Sequence, residues 1–286
     1  MKPDIKLDMK PDMKPDIKKK LIALDIDGTI IDKPTGIPVP RAVREAVQGA
    51  REAGARVCLC SSRPCFYMRD ATDGLLGVDA LIGCSGAVIE IPEAPGGARG
   101  EMIFMDEMPQ ALVLAVFEAA KKRDLYMSFA IREKLLVAIK GPVNPPPADA
   151  SVFSVLEDAP LLLALREEPV SCAVVFTEEG MEDDVIFDEP SLAGATIQRS
   201  ASNCFVITNK GTDKGTGLTR LAGLWGVSRE GILAVGNDEN DVPMFEAAGV
   251  AVAVENAGPE AIAAADWVAP HVRDGGAAEA IRRFML

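Results

Sequence analysis

The sequence is poor in histidine, and this scarcity narrows the chemistry that the protein can perform. Among 286 residues the only histidine is His271. Metal centres built on imidazole use several histidines, and a Ser-His-Asp triad needs one beside its nucleophilic serine. A single histidine therefore nearly excludes both kinds of site.

Three further features are missing. No run of 18 or more apolar residues occurs, so the sequence predicts no membrane span. Met1–Lys20 lacks the apolar centre of a secretory signal. The net charge is −13 and the cationic side chains form no long stripe, which argues against a nucleic-acid partner. A few converging cations or a metal ion would still suffice to bind a small phosphate.

The six cysteines have neither the spacing of zinc ligands nor the density of a disulfide scaffold. Most lie in apolar, strand-like runs, which favours buried, reduced thiols and a cytoplasmic location. A metal site at Cys58, Cys60 and Cys65 is the alternative. The remaining cysteines are Cys84, Cys172 and Cys204.

The pattern of apolar residues indicates how the chain is organised. Residues 1–20 repeat Lys-Pro-Asp, and we expect a disordered tail because the prolines prevent a helix. From Leu21 onward, apolar strands alternate with amphipathic helices, which predicts a doubly wound parallel sheet. Strands flanking Pro95–Gly97, a helix at Ala111–Lys122 and further strands interrupt this alternation. They predict an inserted α+β module, after which the alternation resumes at about residue 209.

Two carboxylates follow the first apolar strand. Leu21–Leu24 suits a strand buried on both faces, and Asp25-Ile26-Asp27-Gly28-Thr29 comes directly after it. Open α/β sheets bind ligands at the carboxyl ends of their strands. Side chains two residues apart in an extended chain point the same way, so one carboxylate could attack phosphorus while the other moves a proton. Taken alone, the motif could equally be an ordinary Asp-Gly turn.

Three other segments occupy comparable positions. Ser61 follows the second apolar strand, where its hydroxyl and nearby amides could hold a phosphate oxygen. Lys214 begins a helix and could neutralise a phosphoryl group. Gly236–Asp241 follows a later strand and gathers the oxygen-bearing side chains that suit Mg²⁺. Each has an ordinary alternative: a turn serine, a surface lysine and an acidic helix-capping turn.

In this order, the four segments resemble the motifs of the haloacid dehalogenase-like hydrolase superfamily, over nearly all of the chain after residue 20. The resemblance implies that Asp25 is the nucleophile and Asp27 the general acid and base. It also implies that Ser61 and Lys214 take part in catalysis. The side chains expected to bind the phosphoryl group are Ser61, Ser62, Lys214 and Asn240.

The same resemblance implies an Mg²⁺ cofactor held by Asp25, the Asp27 carbonyl and the fourth motif. The family usually has an aspartate where this chain has Asn237, and Ser85-Gly86 replaces its usual Asn-Gly. Either Asn237 coordinates through its amide oxygen, or the loop shifts so that Asp238 does. The fixed strand end favours Asn237 and charge favours Asp238. The candidate metal ligands are therefore Asp25, Asp27, Asn237, Asp238 and Asp241.

The position of the long insert, between Ser61 and Lys214, resembles the Cof-type branch, which includes sugar-phosphate, sucrose-phosphate and mannosylphosphoglycerate phosphatases. It implies an α/β, Rossmann-like core of residues 21–84 and 206–286, with an inserted α+β cap of residues 85–205 over the active site. The expected function is hydrolysis of a small phosphorylated metabolite, a sugar phosphate or a related compound. A phosphomutase and a non-catalytic phosphate-binding regulatory protein are the alternatives. The sequence predicts neither the physiological substrate nor the oligomeric state.

Overall fold

The computed structural model describes residues 20–32, 39–71, 77–94, 100–132, 134–138, 153–177, 189–201 and 203–286. The predicted tail lies outside these ranges except for Lys20, whose ammonium donates to the Met285 carbonyl at 3.1 Å. No helix within them is long and apolar enough to cross a membrane.

The larger sheet has eight strands, drawn from both ends of the described chain. They are β1 (Leu21–Leu24), β2 (Arg56–Cys60), β3 (Ala80–Gly83), β4 (Val88–Pro92), β5 (Gly100–Met105), β12 (Ile232–Gly236), β13 (Val250–Val254) and β14 (Trp267–Ala269). Their order in the sheet is β14-β13-β12-β1-β2-β3-β4-β5. The first six in this order run parallel, and β4 and β5 continue the sheet antiparallel. Every residue of the central strand β1 is buried, which explains its unbroken apolar run.

Helices cover both faces of this sheet, as the sequence predicts for a doubly wound core. They are α1 (Arg41–Glu52), α2 (Cys65–Ala71), α5 (Lys214–Trp225), α6 (Val242–Glu246), α7 (Pro259–Ala264) and α8 (Gly276–Met285). Ile22 and Leu24 pack on the side of α1 and α8, whereas Leu21 and Ala23 pack on the side of α5, α6 and α7. Successive side chains of β1 thus enter two separate buried clusters.

The second sheet is formed by the strands between the two halves of the core. They are β6 (Tyr126–Ile131), β7 (Lys134–Ala138), β8 (Phe153–Val155), β9 (Cys172–Phe176), β10 (Ala195–Ala201) and β11 (Cys204–Asn209). Their order is β10-β11-β9-β6-β7-β8. Helices α3 (Gln110–Lys122) and α4 (Asp158–Glu167) cover one face with a buried cluster of their own. Side chains on the other face, among them Tyr126, Cys172 and Val206, share a buried cluster with the core sheet, so the second sheet rests on the core.

The two sheets divide the chain differently from the predicted ranges. Strands β4 and β5 lie within the predicted cap, yet they are hydrogen bonded to the core sheet, with Gly83 opposite Val88. Their antiparallel pairing is that expected for strands flanking Pro95–Gly97, although residues 95–99, like the Pro142–Pro147 loop, lie outside the described ranges. Strand β11 belongs to the second sheet although the core was expected to resume at residue 206. The division into a core and a cap stays a prediction, because sheet pairing does not by itself define a domain.

The turn after β3 brings the two halves of the core together. Cys84, Ser85 and Gly86 all have positive φ angles, between 51° and 98°. The turn lies against the start of α5 so closely that a Cβ on Gly86 would overlap the carbonyl oxygen of Asp213. Only glycine fits this approach. The contact fixes the first residue of α5, Lys214, relative to the strand ends.

All six cysteines are free thiols, and all except the half-buried Cys204 are buried. Burial raises the pKa of the Cys58 and Cys60 thiols, which keeps them neutral. Cys58 and Cys60 belong to a different buried cluster from Cys65. Among the residues that the structure describes, no group of three or more His, Cys, Asp or Glu side chains is arranged to hold a metal ion. The alternative of a cysteine metal site is therefore not supported.

Candidate active site

Three polar segments converge at the carboxyl ends of adjacent strands. Strand β1 lies between β2 and β12, with Leu24 opposite both Leu59 and Val235. Asp25 therefore leaves the sheet beside Ser61 and Asn237, which follow the two neighbouring strands. This strand edge is where a parallel sheet presents ligand-binding groups.

Lys214 connects the first and fourth motifs. Its ammonium donates to Asp25 Oδ1 at 2.8 Å and to Asp241 Oδ1 at 2.6 Å, and its side chain is only 1% exposed. Burial alone would lower the pKa of this ammonium, but the Asp241 and Asp25 carboxylates outweigh burial and raise it. Lys214 is thus a permanently charged cation in the site and not a surface lysine.

The pKa of the Asp25 carboxyl is also raised, but for a carboxyl this favours the neutral form. Burial is the largest cause that raises the pKa of its carboxyl to about 7; the Asp241 and Asp27 carboxylates add to this effect, and Lys214 opposes it. One ammonium cannot balance several nearby carboxylates. An additional cation would lower the pKa of Asp25 again and keep the carboxylate ionised.

Asp241 organises the fourth motif. Its Oδ2 accepts from the backbone amides of Asn237 at 2.8 Å and Asp238 at 3.0 Å, while its Oδ1 accepts from Lys214. Both carboxylate oxygens are therefore already engaged by donors. This arrangement positions the loop and the lysine, and it leaves less room for the direct metal contact that the sequence suggested as one possibility.

Asn237 lies beside the atoms expected to hold a metal. Its carboxamide oxygen accepts from Thr29 Oγ1 at 2.8 Å. The same oxygen position is 2.9 Å from the Asp27 carbonyl oxygen and 3.1 Å from Asp25 Oδ2, so an amide, a carbonyl and a carboxyl oxygen lie together. Turning the amide over would place its nitrogen there, within donor distance of the Asp27 carbonyl oxygen, Asp25 Oδ2 and Thr29 Oγ1. Without a cation the amide nitrogen fits this position, and with a cation the amide oxygen does.

The spacing of these oxygens fits magnesium. Ligands of octahedral Mg²⁺ lie about 2.0–2.1 Å from the ion, so adjacent ligands are about 3 Å apart. The Asp238 carboxylate instead accepts from the amide nitrogen of Asn237 at 3.4 Å, at the other end of the carboxamide from these oxygens. Asn237, Asp25 and the Asp27 carbonyl are the groups that could share one ion.

Asp27 is held by a side chain to which the sequence assigned no role. Arg63 donates to Asp27 Oδ2 at 2.7 Å and Oδ1 at 2.8 Å, and its guanidinium lies 5.0 Å from the centre of the Tyr67 ring. Such a two-point contact orients a carboxylate as well as attracting it. The signal was present in Ser61-Ser62-Arg63, but a separation of 36 residues hides the pairing from sequence inspection.

Two of the four side chains expected to bind phosphate, Ser62 and Asn240, are in direct contact. Ser61 is buried, and its Oγ accepts from the Arg63 amide at 3.3 Å. Ser62 Oγ accepts from Asn240 Nδ2 and from Ser85 Oγ, both at 3.0 Å. Ser85, noted in the sequence only for replacing an asparagine, thereby joins the site.

Comparison with known proteins shows which family this chain resembles. The family model described as haloacid dehalogenase-like hydrolase matches residues 22–281. A phosphoglycolate phosphatase of Methanoculleus marisnigri is 45% identical over 266 residues, covering 93% of this chain and 96% of its own. A phosphoglycolate phosphatase of Methanothermobacter thermautotrophicus is 32% identical over 269 residues, covering 93% and 99%. The solved structure of a HAD subclass IIB sugar phosphatase, BT4131, superposes with a TM-score of 0.75 at 21% identity, covering 93% of this chain and all of that one.

The raised pKa of Asp25 predicts a measurable effect on stability. In metal-free protein, Asp25→Asn removes a carboxylate that folding desolvates, so the variant should be more stable than the wild type by up to about 4 kcal/mol above pH 7. The carboxyl ionises near its ordinary pKa of 3.8 in the unfolded chain and near 7 in the folded one, so the advantage should grow between these pH values and level off above them. Urea unfolding in EDTA from pH 4 to pH 9 measures it.

The matched control for this measurement is Asp32→Asn, at an exposed pair with Arg273. We expect it to change the free energy of unfolding by less than about 1 kcal/mol. An Asp25→Asn variant that is less stable than the wild type at pH 8 would contradict a raised pKa.

Proposed function

Because the chain belongs to the haloacid dehalogenase-like hydrolase family, in its Cof-type branch, and is a phosphoric monoester hydrolase, we propose that it uses Mg²⁺ to hydrolyse a small phosphomonoester through an aspartyl-phosphate on Asp25. The observation that carries the proposal is the buried Asp25 carboxylate, held at a strand end by Lys214 at 2.8 Å. A carboxylate oriented in this way is poised as a nucleophile, and the lysine beside it suits an anionic substrate.

In the first step, an Asp25 oxygen attacks phosphorus in line with the leaving alcohol. The bond between phosphorus and the ester oxygen breaks as the bond to Asp25 forms, and Asp27 gives a proton to the departing oxygen. Lys214 and Ser61 hold the phosphoryl oxygens. When bound, Mg²⁺ offsets the repulsion between the Asp25 carboxylate and the phosphate, and Asp25, the Asp27 carbonyl and Asn237 are the groups that would hold it.

In the second step, Asp27 takes a proton from water, which attacks the phosphorus of the aspartyl-phosphate. Inorganic phosphate leaves and the Asp25 carboxylate is regenerated. Asp27 therefore moves one proton in each direction during a cycle. Its two-point contact with Arg63 holds the carboxylate in a fixed orientation between the two transfers.

Phosphoglycolate is the first substrate to test. Two relatives that align over nearly their whole length, at 45% and 32% identity, carry that name. The sugar phosphatase among the structural neighbours is 21% identical, so its likeness supports the fold and not the substrate. Sugar phosphates remain the class that the sequence resemblance suggested, and they belong in the same assay.

Turnover should depend on Asp25. We expect Asp25→Asn to lower kcat with Mg²⁺ by at least about a thousandfold on phosphoglycolate or whichever phosphomonoester the wild type prefers, because losing a nucleophile removes the first step. Phosphate release in the steady state measures this, with Asp32→Asn as the control that should retain wild-type turnover. Residual turnover above one part in a thousand would refute the covalent mechanism.

The magnesium requirement should follow Asn237. Asn237→Ala removes a neutral oxygen ligand and should raise the Mg²⁺ concentration for half-maximal activity about tenfold, whereas Asn237→Asp should lower it by adding charge. Asp238→Ala should change it less than about threefold, since that carboxylate contacts the nitrogen of the Asn237 amide, whereas the oxygen position of the amide is the one beside Asp25 and the Asp27 carbonyl. Mg²⁺ titrations of the three variants at fixed substrate test these expectations.

The alternative arrangement makes the opposite forecast for the same titrations. If Asp238→Ala alone raises the half-maximal Mg²⁺ concentration, the loop shifts by one residue on binding and Asp238 is the ligand.

A further inference from the structure

We infer that Gln198, on strand β10 of the second sheet, recognises the leaving group and selects alcohols that carry a second oxygen function on the carbon next to the ester carbon. The inference rests on the proposed phosphatase function and adds the chemistry of its substrate. The oxygen function is the carboxylate of a glycolate-like alcohol or the hydroxyl of a polyol.

Gln198 projects from the side of the second sheet that faces the core. It lies opposite Val206 in the antiparallel pairing of β10 with β11. Val206 belongs to the buried cluster shared with the core sheet, whereas its neighbours Phe205 and Ile207 belong to the cluster beneath α3 and α4. Directly paired residues lie on the same face of a sheet, so Gln198 faces the core as Val206 does.

Strand β10 lies against the turn of the fourth motif. It packs against residues Glu239–Asp241, which include the Asn240 and Asp241 side chains of the fourth motif. The core-facing positions of β10 before its register shift at Arg199 and Ala201 are Thr196 and Gln198. The first of these, Thr196, is occupied by the connection to the core, because its Oγ1 accepts from the Gly211 amide at 2.7 Å. Gln198 is the next polar side chain after Thr196 on the core-facing side of β10.

Two unsatisfied oxygens lie on opposite sides of this contact. Within the described ranges, Gln198 Oε1 and Asn240 Oδ1 are the buried side-chain oxygens that have no hydrogen-bond partner. Asn240 itself is 6% exposed, and its Nδ2 is fixed by its bond to Ser62. A buried acceptor without a donor destabilises the fold, so native proteins keep such atoms mainly where a ligand or water satisfies them.

The face of the second sheet that is turned toward the core is uncharged. The core-facing positions of β6, β9, β10 and β11 carry neither cations nor carboxylates; they are Tyr126, Ser128, Ala130, Cys172, Val174, Phe176, Thr196, Gln198, Ala201, Cys204, Val206 and Thr208. A carboxamide can accept from a hydroxyl through Oε1 or donate to a carboxylate through Nε2. A plain alkyl leaving group would offer neither contact and would leave Gln198 Oε1 unsatisfied.

Three two-carbon esters test this inference: ethyl phosphate, 2-hydroxyethyl phosphate and phosphoglycolate. The wild type should favour at least one oxygenated ester over ethyl phosphate in kcat/KM by about tenfold or more. Gln198→Leu, which keeps the bulk of the side chain, should lose about tenfold on the favoured ester and change ethyl phosphate by less than about twofold.

Gln198→Glu separates the two oxygen functions, because it keeps an acceptor and adds a negative charge. If the natural ligand is a carboxylate, the variant should lose about a hundredfold on phosphoglycolate; if it is a hydroxyl, 2-hydroxyethyl phosphate should stay within about threefold of wild type. The matched control is Arg199→Gln. That residue is on the opposite face of β10, over the Phe205 ring at 5.1 Å, and should leave all three values unchanged. Thermal melting of each variant checks that it folds.

The inference is overturned if Gln198→Leu changes all three esters equally or changes none of them. It is also overturned if the wild type hydrolyses other phosphomonoesters through Asp25 but not these. The proposed function would fail in a different way: the Asp25→Asn variant would still hydrolyse phosphomonoesters, whichever ester the wild type prefers.

Discussion

The arrangement of the site depends on one buried ammonium, that of Lys214, shared between Asp25 and Asp241. Removing a charge from water costs several kcal/mol, and this lysine is 1% exposed, so the neighbouring carboxylates offset the cost of burying it. The two carboxylates, when ionised, and the one ammonium leave a net charge of −1 where we propose that phosphate binds. Burial is the largest cause that raises the pKa of Asp25, the Asp241 carboxylate adds to it, and a divalent cation would oppose both. The proposed magnesium requirement therefore follows from the charge balance of the site as well as from the family.

The fold holds this ion triad in place from three directions. Strand β1 delivers Asp25 at its end, Asp241 is fixed by the amides of the loop after β12, and Lys214 begins α5. The start of α5 is defined by the Asp213 capping box with Thr216 and by the close approach of Gly86. Asp25 and Lys214 thus lie at the ends of a strand and a helix, and hydrogen bonds fix Asp241 within its loop, which is the condition for preorganised electrostatic catalysis.

The sequence predicted the elements whose cause is local. The apolar run Leu21–Leu24 and the helix at Ala111–Lys122 were evident from the local pattern, and both form, the helix beginning one residue earlier at Gln110. Strand β10, with its polar core-facing side, has no apolar pattern to reveal it, and the assignment of β4 and β5 to the core sheet depends on pairing that no local pattern encodes.

The same distinction between local and distant causes holds for the site. Motif spacing identified Asp25, Asp27 and Lys214, and the structure brings them together. The contact between Arg63 and Asp27 and the unsatisfied oxygen of Gln198 depend on how distant segments pack, so neither could be inferred from the chain alone.

The central claim is that Asp25 carries the phosphoryl group during turnover, and trapping that group tests it most directly. Protein mixed with Mg²⁺ and the preferred phosphomonoester would be quenched in acid within milliseconds, digested and analysed by mass spectrometry. The account predicts one added phosphoryl group on the peptide that contains Asp25, absent from Asp25→Asn and removed by borohydride, which reduces an acyl phosphate. Phosphate released at a normal rate, with no modified Asp25 peptide at any quench time, would contradict the account.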